Sequence, residues 1–182
     1  MSAGTAISLE EYLAHCYEPD CEYVDGQLVE RNGGDYFHSL FQITLGHHLL
    51  LLQTSTGFSF RVVTECRALV LGGVETRRRY RIPDLAILPA VSDPTSIILA
   101  PPLAVVEILS PEDRFAAVVQ KCAEYEAFGV PEIWIVDPRS REVWTVRAGE
   151  ALLMAGHAAS FQCAEGEVRV DFNEVFASRN LN

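Results

Sequence analysis

The feature that most constrains this chain is the run Leu103–Pro111, L-A-V-V-E-I-L-S-P. Apolar residues flank a single glutamate on both sides, whereas a strand with one wet face would alternate apolar with polar. A continuous apolar run is the mark of a strand buried on both faces. Such a strand needs layers above and below it, which points to an α/β sheet covered by helices. It also places Glu107 inside that sheet, where a carboxylate is costly unless paired, hydrogen-bonded, protonated or bound to a metal. The rest of the chain has to supply what stands opposite Glu107.

Taken in order, Ser8–Glu11 reads as a capping box opening a short helix to about Cys16. E-Y-V-D-G-Q-L-V-E predicts a hairpin about Asp25-Gly26, since glycine tolerates the positive φ of a tight turn. A helix is expected over Phe37–Gln53, then a strand over Phe58–Leu71 ended by Gly72-Gly73. A second strand is expected over Tyr80–Leu88, with Pro83, which has no N–H, near its start or at a bulge. Pro94, Pro101 and Pro102 mark a loop before the central strand. Beyond it, Ser110 suits an N-cap, Pro111 the first helical position and Asp113 the positive helix start. That helix should run to Phe128, with Gly129 and Pro131 closing it. Glu132–Val136 reads as a second buried strand, Glu142–Arg147 as its hairpin partner, and Val168–Phe172 as further strand before a short helix. The core order is αβββαβ, preceded by a helix and a hairpin, in one domain over residues 1–182.

Charge and cysteine usage narrow the function. Twenty-five acidic residues against 14 lysines and arginines give a formal charge of −11, which disfavours a broad nucleic-acid surface. It leaves room for a local basic patch, and Arg77, Arg78, Arg79 and Arg81 form the one dense cluster. The five cysteines are odd in number and lack C-x-x-C spacing. This argues against a disulfide framework or a zinc site, and for a reducing cytoplasm. No basic region precedes an apolar run at the N-terminus, and no apolar stretch approaches the ~20 residues of a membrane span.

Three residues converge by geometry. Asp84 lies among apolar residues in the strand before the one carrying Glu107; if the two strands pair, two carboxylates meet, and a cation between them keeps both ionised. From Glu107 the chain rises ~10 Å to Ser110 at ~3.3 Å per residue. The helix folding back over the sheet then returns ~14 Å to Lys121 at 1.5 Å per residue. Lys121 borders the apolar stripe Phe115, Val118, Cys122 and Tyr125, so its stem can pack while its ammonium reaches Glu107. Two carboxylates and a lysine suit metal-assisted phosphodiester hydrolysis. The expected metal is Mg²⁺ or Mn²⁺, bound by Asp84, Glu107 and the backbone carbonyl of Ile108, with Glu65 a candidate third ligand. Lys121 would orient the attacking water or neutralise charge on the phosphate. His38, Arg79 and Arg81 are candidates for substrate contact. His47 and His48 are adjacent, hence on different helix faces, and Tyr125 and Trp134 are expected in the core.

The ordered set I-P-D-L-A-I-L, V-V-E-I-L-S-P, K-C-A-E-Y and G-V-P-E-I-W-I-V-D-P, with E-Y-V-D-G-Q-L-V and His38 ahead of it, resembles a known family. It is the family described as putative restriction endonucleases, in the PD-(D/E)XK nuclease superfamily, in a branch whose lysine has moved to the helix after the glutamate strand. The resemblance covers roughly Glu22 to Pro138. It implies a restriction-endonuclease-like mixed β-sheet flanked by helices, divalent-metal-dependent DNA cleavage, homodimers, and active-site roles for Asp84, Glu107 and Lys121. The chain departs from the pattern at Ala117, where relatives often carry an acid. Two other readings stay open: a nuclease scaffold kept as a non-enzymatic binding or assembly module, and hydrolysis of another phosphodiester such as RNA or a nucleotide.

Overall fold

Two strands that read as continuous are each broken, and the breaks shape the molecule. In a computed structural model, which describes residues 7–71, 78–91 and 96–178, the stretch from Phe58 divides into β3 (Phe60–Thr64) and β4 (Ala68–Leu71). Glu65 at the break has φ 51°. The stretch from Tyr80 divides into β5 (Arg78–Arg81) and β6 (Leu85–Pro89), because Pro83 has no N–H with which to continue the ladder. Thr64 pairs with Leu85 on one side of the breaks and Ala68 with Arg81 on the other. A single antiparallel ribbon thus bends from one sheet into another. Gly72-Gly73, Arg77 and Pro94 lie outside the described residues.

The first sheet has strand order β10-β9-β8-β7-β6-β3. Its centre is β7 (Ala104–Ile108), every residue of which is buried. It runs parallel to β8 (Glu132–Asp137) and antiparallel to β6. Outward from β8 lie β9 (Glu142–Arg147) and β10 (Glu150–Leu153). The second sheet, β2-β1-β5-β4, carries the N-terminal hairpin of β1 (Cys21–Val24) and β2 (Gln27–Glu30). Its turn residues Asp25 and Gly26 both have positive φ, as the sequence requires. In front of it, α1 (Leu9–Ala14) is capped by Ser8 and packs Tyr12 on Tyr23 and Tyr80.

Helices cover both faces of the six-stranded sheet. On one, α2 (Tyr36–Thr56) packs Phe41, Leu45 and Leu49 against Val106, Ile108 and Trp134. The hairpin of β11 (Ala158–Cys163) and β12 (Gly166–Asp171) and the short α4 (Phe172–Phe176) complete that layer. On the other face, α3 (Phe115–Phe128) packs Cys122 and Tyr125 against Val105, Ile133 and Ile135. The core order is the expected αβββαβ, with β4 and β5 as an excursion into the second sheet.

One helix start differs. The α3 helix begins at Phe115 behind Arg114, with no side-chain cap. Ser110 instead opens a tight turn in which Asp113 Oδ2 accepts from the Ser110 N–H at 2.7 Å and the Asp113 N–H donates to the Ser110 carbonyl. The capping acid is spent on that turn, and the helix starts one turn later.

Candidate active site

The bend of the ribbon makes the site. In an unbroken strand, Ile82 would spend its backbone groups on neighbouring strands. Here its N–H donates to Glu22 Oε1 at 2.9 Å and its carbonyl accepts from Lys121 Nζ at 2.9 Å. Two residues on, Asp84 lies just ahead of β6. The register pairs Leu85 with Val106, so one further step sets Asp84 opposite Glu107. Both carboxylates are buried and line a cavity of about 360 Å³, together with Glu22, Arg31, His38 and Lys121.

Asp84 is surrounded by donors. Its Oδ1 accepts from Arg31 Nη2 at 2.8 Å, and its Oδ2 from the Ile108 N–H at 2.7 Å, with His38 Nε2 at 3.2 Å. Burial would raise its pKa. The His38 hydrogen bond, the Lys121 and His38 charges and the Ile108 N–H outweigh this and hold it below the usual carboxylate value. Asp84 is the ionised acid of the pair.

Glu107 is placed differently. Its Oε2 accepts from Lys121 Nζ at 2.9 Å and its Oε1 from the Tyr125 hydroxyl at 2.8 Å. Lys121 is shared: its ammonium lies at 2.9 Å from Glu22 Oε1 as well. Burial pushes Glu107 up to about 7 despite Lys121, and the Asp84 and Glu22 charges add to the rise. Burial would strip the proton from Lys121, but the charges of Glu107, Glu22 and Asp84 hold it on. The lysine stays cationic, and Glu107 absorbs the surplus negative charge.

The structure brings together Asp84, Glu107 and Lys121, with His38 beside them. Two expectations are corrected, Glu65 as a ligand and Arg79 as a substrate contact. Glu65 is exposed at the β3–β4 break and does not line the cavity, so it is no third ligand. Arg79 is paired with Asp25 and Glu124 and does not line the cavity, whereas Arg81 lines it with its guanidinium held by Glu22 and Glu124. Ile108 lines the cavity, but the group it lends to the acids is its N–H, donated to Asp84. Among the described residues, no three of His, Cys, Asp and Glu are arranged to hold a metal ion. Two carboxylate ligands are nonetheless within what Mg²⁺ accepts, because it completes its shell with water and phosphate oxygens.

Three residues were missed. Arg31 comes from the end of a hairpin that carries no site signal. Tyr125, expected in the core, is buried there and also hydrogen-bonds Glu107. Glu22 could have been found: it lies between Cys21 and Tyr23 in a buried strand, the same pattern of an acid inside an apolar run that marks Glu107.

A family model described as "Uma2: Putative restriction endonuclease" matches residues 9–166. The chain belongs to the Uma2 family. That span runs from α1 to the start of β12 and contains every cavity-lining residue named above. Among solved structures, the Uma2 chain is similar to a crystal structure described as a putative nuclease belonging to DUF820 from Anabaena variabilis ATCC 29413. The TM-score is 0.73 at 20% identity, covering 97% of this chain and 99% of that one; the likeness establishes the nuclease fold. A cryo-electron-microscopy structure of a DrdV–DNA complex aligns with 74% of this chain and 10% of its own, at 20% identity and a TM-score of 0.36. No curated protein matches the sequence. None of the described helices is long and apolar enough to cross a membrane.

Proposed function

We propose that the cavity at the ribbon bend is the active site of a divalent-metal-dependent endonuclease that hydrolyses DNA phosphodiester bonds. One observation carries the reading: Asp84 and Glu107 meet from neighbouring strands beside a cavity, with more carboxylate charge than Lys121 can balance. Asp84 and Glu107 would hold Mg²⁺ or Mn²⁺, with the Ile108 carbonyl as a further candidate donor. The bound metal would supply Lewis-acid polarisation of the phosphate and a more acidic water. Lys121 holds Glu107 in place and sets a positive charge beside the scissile phosphate, where it favours the more negative transition state. Arg31 and His38 keep Asp84 ionised and fixed. Membership of a family described as restriction endonucleases supports DNA as the substrate, and the five free thiols suit a cytoplasmic enzyme.

The test is cleavage of plasmid and oligonucleotide DNA with Mg²⁺ or Mn²⁺. Glu107→Gln and Asp84→Asn are expected to abolish cleavage while circular dichroism stays that of the wild type. Cleavage surviving both changes at the wild-type rate would sink the assignment. A second reading, a binding module that keeps the scaffold, is favoured by one feature: the Lys121 ammonium already faces three protein acceptors. Calorimetric titration with Mn²⁺ separates the two, since a binding relic has no need to take up metal at Glu107. An RNA oligonucleotide in the same assay decides between DNA and other phosphodiesters.

A further inference from the structure

We infer that Arg114 is the cation of a second phosphate subsite, which takes a phosphate of the same DNA strand next to the one placed over Glu107 and Lys121. The inference rests on the nuclease reading of the cavity and deepens it, since it makes a polynucleotide, rather than a lone phosphodiester, the substrate. The observation is how the cavity's positive charges are paired. Five basic side chains line it: Arg31, His38, Arg81, Arg114 and Lys121. Four of them are held by carboxylates. Arg31 pairs with Asp20 and Asp84, and His38 with Asp84. Arg81 pairs with Glu22 and Glu124, and Lys121 with Glu22 and Glu107. Arg114 is exposed, its side chain caps nothing, and among the described residues its guanidinium has no hydrogen-bonding or ion-pair partner.

Its position follows from the helix. Arg114 stands immediately ahead of α3, and Lys121 comes seven residues later, about 10 Å further along the axis at 1.5 Å per residue. Seven residues are close to two whole turns, so the two fall on one strip of the helix. Ala117 and Val118 complete that strip, and all four line the cavity. Side chains lean toward the N-terminus of their helix, so the offset between the two cations is kept. An offset of that size exceeds what one phosphate spans. Lys121 already stands at Glu107, and Arg114, at the exposed mouth, therefore meets a neighbouring phosphate. Ala117 keeps the lane open. An acid there would lie three residues after Arg114 and four before Lys121, the spacings at which helical ion pairs form. Arginine suits the role because its planar fork matches two phosphate oxygens and never loses its charge. Glu30, Glu112 and Asp113 line the same cavity, in a chain of net charge −11. A strand entering past these acids needs a cation to meet it, and Arg114 is the one that no carboxylate holds.

The test uses the full chain and a fluorescein-labelled DNA duplex with Ca²⁺, read by anisotropy over a range of salt. Arg114→Ala is expected to weaken binding on the order of tenfold, as for loss of a hydrogen-bonded charge. It should also lower the slope of log affinity against log salt by about 0.9, the value for one phosphate contact on B-DNA. Arg114→Lys should recover most of that slope. Arg169→Ala removes the same charge from an exposed position on β12 outside the cavity, and should keep the wild-type slope. In cleavage, the loss for Arg114→Ala should fall on KM rather than kcat, because a flanking phosphate is held equally in ground and transition states. The same substitution should cost far less with bis(p-nitrophenyl) phosphate, which offers a single phosphate. Arg114 is exposed and unpaired, so thermal unfolding of its variants should match the wild type. A wild-type slope in Arg114→Ala, an equal drop in Arg169→Ala, or a wild-type chain that binds no DNA would each overturn the subsite. A slope that falls as expected in a chain that cuts no DNA would keep Arg114 as a phosphate contact and sink the nuclease reading instead.

Discussion

Two ion clusters meet on α3, and they are built to opposite rules. In the first, Arg79 and Arg81 join Asp25, Glu22 and Glu124. Arg81 gives Nε and Nη2 to the two oxygens of Glu124 and Nη1 to Glu22. Its guanidinium is saturated in a rigid fork, and the charges of Glu124 and Glu22 raise its pKa further against the pull of burial. In the second, Glu107 has one cation, shared with Glu22, and a neutral phenol. The first cluster is closed by groups that never lose their charge. The second is left short of positive charge next to a cavity. Arginine forks hold the second sheet against α3, whereas Glu107 is left beside the cavity with a single shared cation.

The comparison breaks most visibly on the closed side. Arg81→Ala leaves Glu22 and Glu124 buried with fewer partners, and a loss of about 3–5 kcal/mol is expected in urea denaturation at pH 7. A loss under 1 kcal/mol would mean that the fork is not structural.

On the open side the sign reverses. The folded pKa of Glu107 is about 7 against an ordinary 4.5. Between those values the folded chain keeps a proton that the unfolded chain has released, so the contribution of Glu107 to stability falls as pH rises and levels off above 7. The total is about 3 kcal/mol. Glu107→Gln lacks this slope, so it should gain on the wild type from pH 4.5 to 7.5 when both are followed by denaturant midpoint. Parallel profiles for the two proteins would show that Glu107 is already balanced. The depressed acids Asp84 and Glu22 lose their stabilising effect only as pH falls through their own lowered values, and leave this window clear.

Why Glu107 and Asp84 were legible in the sequence, and Arg31 was not, has a physical reason. An acid inside an apolar strand violates a strong local rule, so it stands out wherever it occurs, at Glu22 as at Glu107. The covered sheet and the αβββαβ order follow from the same runs. Arg31 breaks no local rule: it is a polar residue at a hairpin end, and its value comes from Asp84, 53 residues away. The ribbon bend was half-visible in Pro83. Nothing near Glu65 announced the matching break, and a strand's change of sheet is set by packing rather than by propensity. The late start of α3 was hidden because Asp113 can serve a helix end or a turn equally well.

The smallest effect tests the tightest spot. A Cβ on Gly34 would fall 2.7 Å from His38 Nδ1, and the ring is held on its far side by Asp84. Gly34→Ala must therefore push the ring off Asp84, at a cost of about 1.5–3 kcal/mol for a charge-assisted hydrogen bond. Burial lowers the pKa of His38, but the hydrogen bond and charge of Asp84 more than reverse this, so the folded value lies above the ordinary one. The stabilisation is then fully present below the ordinary histidine value and fades as pH rises through the folded one. The variant should lose more at pH 6 than at pH 9, in thermal or urea denaturation. The cost of Arg81→Ala should by contrast be nearly flat over the same range, because an arginine keeps its charge throughout. An equal loss at both pH values for Gly34→Ala would mean that the ring is held by packing alone, and the open cluster would then be no more responsive to protons than the closed one.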